Sequence, residues 1–141
     1  GLGCRRCDVG VASRRAAEGA AGSGGCTMCA EGYYRPAAAS PVTQCTSCAA
    51  ALGGARCNLN ATTRTLEMLS GYWRHSDRTT QLWRCEGTGE WSPCRGGADA
   101  GDEGDGYCQP GHRGPRCEVC DGEARYFSRL DAACHDCGSI P

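Results

Sequence analysis

Cysteine is the feature that most limits what this chain can fold into. It fills 14 of 141 positions, and ten of the 14 come as C-x-x-C pairs: Cys4/Cys7, Cys26/Cys29, Cys45/Cys48, Cys117/Cys120 and Cys134/Cys137. A density near a tenth marks a scaffold held by sulfur rather than by hydrocarbon. The apolar side points the same way. One Phe, two Met, three Trp and five Tyr stand against 22 Gly, and Ala and Cys themselves swell the 40% hydrophobic fraction. So few large side chains cannot offset an ordering entropy of roughly 1–2 kcal/mol per residue, and small cores of this kind need covalent or metal staples.

Two sulfur chemistries fit the spacing. Cys4/Cys7 with Cys26/Cys29 matches a zinc pattern, C-x2-C-x15–20-C-x2-C, and Cys117/Cys120 with Cys134/Cys137 nearly does. Those sets use eight thiols. Cys45, Cys48, Cys57, Cys85, Cys94 and Cys108 remain, and six do not divide into fours. Disulfides give a more economical scheme, in which the last cysteine of each unit joins the first of the next: Cys7–Cys26, Cys29–Cys45, Cys48–Cys57, Cys85–Cys94, Cys108–Cys117 and Cys120–Cys134. The loops hold 8 to 18 residues, and each bridge is worth ~2–4 kcal/mol by restricting the unfolded chain. Cys4 and Cys137 are left over, and the expectation is that each pairs with a cysteine outside this stretch. There is no starting Met, no signal peptide and no apolar run near the ~18 residues of a membrane span, which fits a piece of a longer secreted chain.

Three segments follow from cysteine usage. Residues 1–57 read as tandem cysteine-rich units with a period of about 20, the stretch between Cys7 and Cys26 being a Gly/Ala/Ser-rich loop. Residues 58–94 form a Cys-poor β-meander closed by a small disulfide loop. Strands are expected near residues 63–68, 72–75 and 80–84, with Leu66, Met68, Trp73, Leu82 and Trp83 as their apolar partners; a helix near residues 63–69 is the alternative. Residues 95–141 return to cysteine-rich units around a flexible acidic loop, GGADAGDEGDG at 96–106. The fold class expected is small and disulfide-rich, mostly irregular with short antiparallel β hairpins, its units set in an elongated tandem row.

The stretch CQPGHRGPRCEVC at 108–120 places Gly111 and Gly114 between Cys108 and Cys117, where they permit a tight turn between two bridged strands. It resembles the C-terminal loop of EGF-like modules. The continuation through Cys117, Cys120, Tyr126-Phe127, Cys134 and Cys137 resembles the laminin-type EGF variant, although Cys108 lacks the C-x-C found just upstream in EGF modules. Residues 4–48 resemble growth-factor/ephrin-receptor-type cysteine-rich repeats, with Cys26-Thr27-Met28-Cys29-Ala30-Glu31-Gly32-Tyr33 the best match. Gly71-Tyr72-Trp73-Arg74, with Cys85 and Cys94 after it, resembles cysteine-rich regions of large surface proteins from algae and other protists. These resemblances imply an extracellular, cell-surface setting.

Few residues invite a chemical reading. Asn60-Ala61-Thr62 is an N-glycosylation sequon. Asp99, Asp102, Glu103 and Asp105 offer hard oxygens for Ca2+, but match no calcium-binding spacing and read better as a solvated loop. His75, His112 and His135 are far apart, and His112 is expected to be exposed in its turn; no catalysis is assigned. Tyr72, Trp73, Trp83 and Trp91 are the main large apolar surface. They fill a local core, with Arg74 and Arg84 able to stack on them, or, on the sharper reading, Tyr72, Trp73 and Trp83 form a binding patch for a protein or glycan. A net charge of −1, with all 15 basic residues Arg, suggests neither nucleic acid nor an anionic membrane as partner.

The expected function is a non-enzymatic extracellular module, without cofactor, in a larger cell-surface or matrix protein. Its partners would be neighbouring cysteine-rich repeats of the same parent, in a filament such as a flagellar hair for example. A ligand-binding region of a receptor ectodomain is the first alternative, and an intracellular zinc protein the second.

Overall fold

The computed structural model describes residues 11–12, 28–36 and 45–139. It is small and mostly irregular, with short strands of two to four residues, five bridges among the described cysteines and, among the described residues, no α-helix beyond a single turn. The bridges are Cys29–Cys45, Cys48–Cys57, Cys85–Cys94, Cys108–Cys117 and Cys120–Cys134, with Cα atoms 5.4–6.2 Å apart. These are five of the six pairs given by joining neighbouring units. The sixth, Cys7–Cys26, lies outside the described residues, as does Cys4. The described bridges follow one another along the chain without interlacing.

The chain divides into two compact units, Gly1–Leu66 and Glu67–Pro141. In the first, β1 (Val11–Ala12) pairs antiparallel with β2 (Met28–Cys29). The strand β3 (Tyr33–Arg35) lies between β4 (Thr46–Ser47), antiparallel, and β6 (Ala61–Thr62), parallel. Between β4 and β6 come a single α-turn, α1 (Cys48–Ala51), capped by the Ser47 hydroxyl on Ala50 N, and β5 (Ala55–Arg56). Tyr34 is buried here, with Cys29, Cys48 and Cys57.

The second unit begins at β7 (Glu67–Met68). It continues through the hairpin of β8 (Tyr72–Trp73) and β9 (Trp83–Arg84), the hairpin of β10 (His112–Arg113) and β11 (Val119–Cys120), and that of β12 (Arg125–Ser128) and β13 (Ala133–Asp136). The three strands expected between residues 63 and 84 shrink to two-residue pieces, and residues Thr63–Thr65 form a 3-10 turn, neither strand nor α-helix. Thr65 Oγ1 accepts from Thr62 N at 2.9 Å, a local side-chain bond that competes with strand pairing.

One small pattern recurs through both units. Gly32 sits at φ +88° in a turn closed by Tyr33 N–H on Ala30 O; its carbonyl accepts from Cys48 N at 2.9 Å, and its N–H donates to Cys57 O at 2.9 Å. Gly71, at φ +93°, repeats every step. Tyr72 N–H closes the turn on Leu69 O, the Gly71 carbonyl accepts from Cys85 N at 2.8 Å, and its N–H donates to Cys94 O at 2.8 Å. The positive φ at the third turn position is the reason for glycine at both sites. In each copy the residue after the glycine pairs with the residue before the cysteine, Tyr33 with Ser47 and Tyr72 with Arg84. That cysteine then bridges to another nine positions on.

Two further hairpins keep the same register. Gly111 O accepts from Asp121 N at 2.9 Å with His112 opposite Cys120, and Ala124 O accepts from Cys137 N at 2.8 Å with Arg125 opposite Asp136. Three of the four copies carry a bridge across the start of the hairpin: Cys29–Cys45, Cys108–Cys117 and Cys120–Cys134. Met68 and Leu82 hold the places of Cys29 and Cys45 in the copy around Gly71, so apolar residues stand where the copy around Gly32 has sulfur.

Candidate functional site

Alternation along a strand sends successive side chains to opposite faces, so at β8 Tyr72 lies on the face away from Trp73, while Trp73 and Trp83 share a face and differ in burial. Trp73 lies opposite Trp83, and Tyr72 opposite Arg84. Trp73 points inward and is 4% exposed, whereas Trp83 is 46% exposed. Trp83 is therefore not part of the core that the sequence assigned to it.

The interior beneath Trp73 is built from residues that composition does not advertise. The Trp73 indole N–H donates to Gly104 O at 3.0 Å. Arg74 is fully buried; its Nε donates to Tyr107 Oη at 2.8 Å and its Nη1 to Thr79 O at 3.1 Å. Its guanidinium carbon lies 5.8 Å from the centre of the Tyr107 ring. Burial pushes the Tyr107 phenol above its ordinary pKa, while the hydrogen bond and charge of Arg74 pull it back. Burial likewise raises Tyr34.

The stretch 96–106, expected as a flexible solvated loop, is folded into this interior. Ala100 and Gly104 are buried, and residues Asp102–Tyr107 form a 3-10 segment kinked at Glu103 and Gly104. A side chain at Gly104 would meet the Trp73 indole at 2.8 Å, so the close approach itself selects glycine. The carboxylates serve the backbone: Asp99 Oδ1 accepts from Gly101 N at 2.9 Å, and Asp105 Oδ1 from Gly114 N at 2.8 Å. Asp99, Asp102 and Asp105 are not drawn into one cluster, and among the described residues no group of three or more His, Cys, Asp or Glu is placed to hold a metal ion.

The zinc alternative fails at the sulfurs. Cys117 is bridged to Cys108 and Cys120 to Cys134, so the set with Cys137 cannot act as four thiolates. Cys29 is bridged to Cys45, which removes one ligand from the set with Cys4, Cys7 and Cys26.

His112 is not exposed in its turn. It is 8% exposed, and its Nδ1 lies 3.0 Å from Cys117 O and 3.6 Å from Cys134 Sγ. Its ring packs between Trp91 at 5.9 Å and Phe127 at 6.1 Å. His75 lies edge-on to Trp73 at 6.2 Å, and His135 pairs with Asp131 at 2.6 Å. Asn60 is an exposed turn residue at φ +63° whose N–H donates to Cys29 O at 2.8 Å.

The face of the hairpin opposite Trp73 opens a groove of about 650 Å3. Tyr72 and Arg84 form one side, and the loop closed by Cys85–Cys94 forms the other, carrying Glu86, Glu90 and Trp91; Arg116 reaches in from the turn after β10. Trp91 is 37% exposed yet fixed, because its indole N–H donates to Ala132 O at 2.9 Å and its own N–H to Thr88 Oγ1 at 3.2 Å. Arg116 Nε donates to Arg84 O at 2.9 Å, and Glu86 Oε1 lies 4.0 Å from Arg116 and 3.7 Å from Arg129. Of the residues expected to bind a partner, the groove includes Tyr72 and excludes both Trp73 and Trp83. The sequence signal for Trp91 was its place in an eight-residue bridged loop, where an aromatic ring cannot wander.

Neither protein-family models, nor curated proteins, nor solved structures show a match to this chain. Five bridges imply folding in an oxidising setting. Among the described residues no helix is long and apolar enough to cross a membrane.

Proposed function

We propose that this chain is a non-enzymatic structural or adhesive module of a larger cell-surface or matrix protein, exposed to the extracellular space and covalently continuous with further repeats of its own kind. In this reading residues 108–137 are its EGF-like, laminin-type portion and residues 4–48 its receptor-type repeats, with Asn60 carrying a glycan.

The observation that supports it best is the position of Cys137. It is an exposed free thiol, yet its N–H donates to Ala124 O as those of Cys48 and Cys85 donate to Gly32 O and Gly71 O. Cys48 and Cys85 each bridge to a cysteine nine positions on. By the same pattern Cys137 bridges to a cysteine of a following repeat. The bridges are local and sequential, so such a module lengthens by adding units, each contacting mainly its neighbours. A stiff, protease-resistant spacer is what such linkage produces.

Peptide mapping of the natural protein without reduction tests the reading. A Cys137 peptide joined to a repeat outside residues 1–141 supports it. A Cys4–Cys137 crosslink, or a Cys137 thiol that stays free in the mature protein, overturns it.

A further inference from the structure

We propose that the groove between Tyr72 and Trp91 binds a short neutral oligosaccharide. Its volume, about 650 Å3, lies in the range of small-ligand sites, and its lining is mixed rather than apolar. Two aromatic rings bound it, the polarised C–H face of a sugar being what such rings accept. Arg84, Arg116, Glu86 and Glu90 all line it, with Glu86 4.0 Å from Arg116, so two guanidinium charges are balanced by two carboxylates. That balance gives no advantage to a sulfated, phosphorylated or strongly basic ligand. It provides donors beside acceptors, the arrangement that vicinal hydroxyls satisfy in both directions.

The walls are set before any ligand arrives. Trp91 is held through its indole N–H by Ala132 O, and its ring is backed by His112 at 5.9 Å. Arg116 is tied to Arg84 O, and Glu86 lies between Arg116 and Arg129. The Cys85–Cys94 bridge closes the loop that carries three of these residues. Preformed walls lower the ordering cost of binding. A peptide would also use aromatic rings, but it would need an open strand edge or an apolar anchor pocket, and the charged side chains that line the groove provide neither.

The proposal rests on the oxidised, folded module that the scaffold reading also assumes, yet a spacer without a ligand would leave that reading intact. The test uses the whole chain with its bridge map verified in the same sample. Calorimetry and the indole N–H resonances are followed against chitotriose, cellotriose, maltotriose and mannotriose, beside a sulfated disaccharide and an unstructured peptide. At least one neutral trisaccharide is expected to bind and to shift the Trp91 indole signal while that of Trp73 stays. Trp91→Ala is expected to weaken binding about tenfold, the loss of one aromatic contact. Should Trp91→Ala lose its native bridges, Glu90→Gln and Tyr72→Ala take its place, each expected to weaken binding severalfold. Failure of every neutral trisaccharide to bind a correctly bridged protein at millimolar concentration overturns the proposal. So does binding confined to the sulfated sugar or the peptide, or binding that the folded variants leave unchanged. A scrambled or reduced bridge map in the natural protein counts instead against the scaffold reading.

Discussion

Arg74 Nε donates to Tyr107 Oη over 2.8 Å, and both side chains are fully buried. A guanidinium withdrawn from water must be met by acceptors, because a buried charge left without a partner is far costlier than the pair is stabilising. Tyr107→Phe keeps the ring and removes the acceptor. It is expected to destabilise the fold by about 1–3 kcal/mol, read as a shift of the denaturant midpoint with the bridges intact. An unchanged midpoint would mean that the pair does not hold this interior together.

The same phenol gives an alkaline limit. Burial raises Tyr107 above its ordinary value of 10.0, against the opposing pull of Arg74. The folded chain therefore keeps this proton more tightly than the unfolded chain does. The stability that follows is complete below about pH 10 and is lost as pH rises through the folded pKa. With Cys137 blocked, absorbance titration of tyrosinate is expected to show a late-ionising class containing Tyr34 and Tyr107, and Tyr107→Phe to remove one member of it.

Gly104 sets a separate test. It sits at φ +88° against the Trp73 indole, so Gly104→Ala combines backbone strain with overpacking. Each is worth about 1–3 kcal/mol, and thermal melting with native bridges is expected to show their combined loss. Gly53, also at positive φ, has open space around it, and Gly53→Ala is expected to show only the strain.

The two paired tryptophans should part company. Trp73→Ala empties a buried site and is expected to cost about 3–5 kcal/mol. Trp83→Ala, at an exposed ring, is expected to change stability by about 0.5 kcal/mol or less. Equal losses in a denaturant titration would contradict the difference in burial between the two rings.

Asn60 is exposed, and its sequon partner Thr62 begins the 3-10 turn. Secretion from a eukaryotic host is expected to add one N-linked glycan there, and Thr62→Ala to abolish it, both visible as an enzymatically removable mass.

The bridges were legible in the sequence because short loops cost the least entropy to close, and nearest-neighbour pairing of the C-x-x-C units gives that solution. The Gly-Tyr turn was legible at Gly32-Tyr33, but its recurrence at Gly71-Tyr72 is masked, because Met68 and Leu82 replace the flanking sulfurs there. The buried Arg74–Tyr107 pair left no trace. Tyr107 precedes a cysteine in a stretch that reads as acidic linker, and charge normally marks surface. His112 carries a polar ring into a Gly-rich turn, and only the packing of Trp91 and Phe127 around it decides its burial. Trp73 and Trp83 share one face of the hairpin, and how far the core extends along that face is not encoded in two-residue strands.

Sequential bridging also governs how this chain answers a pull along its length. Between Cys29 and Cys134, every residue inside a bridged loop is bypassed by its S–S link and cannot be drawn out. Only the stretches 58–84 and 95–107, with two-residue joints between neighbouring loops, can pay out under load. At roughly 3.3–3.6 Å per residue the longer stretch is on the order of 90 Å long when fully extended, so any lengthening of the oxidised chain between Cys29 and Cys134 has to come from unravelling these stretches, the Trp73–Gly104–Tyr107 interior among them.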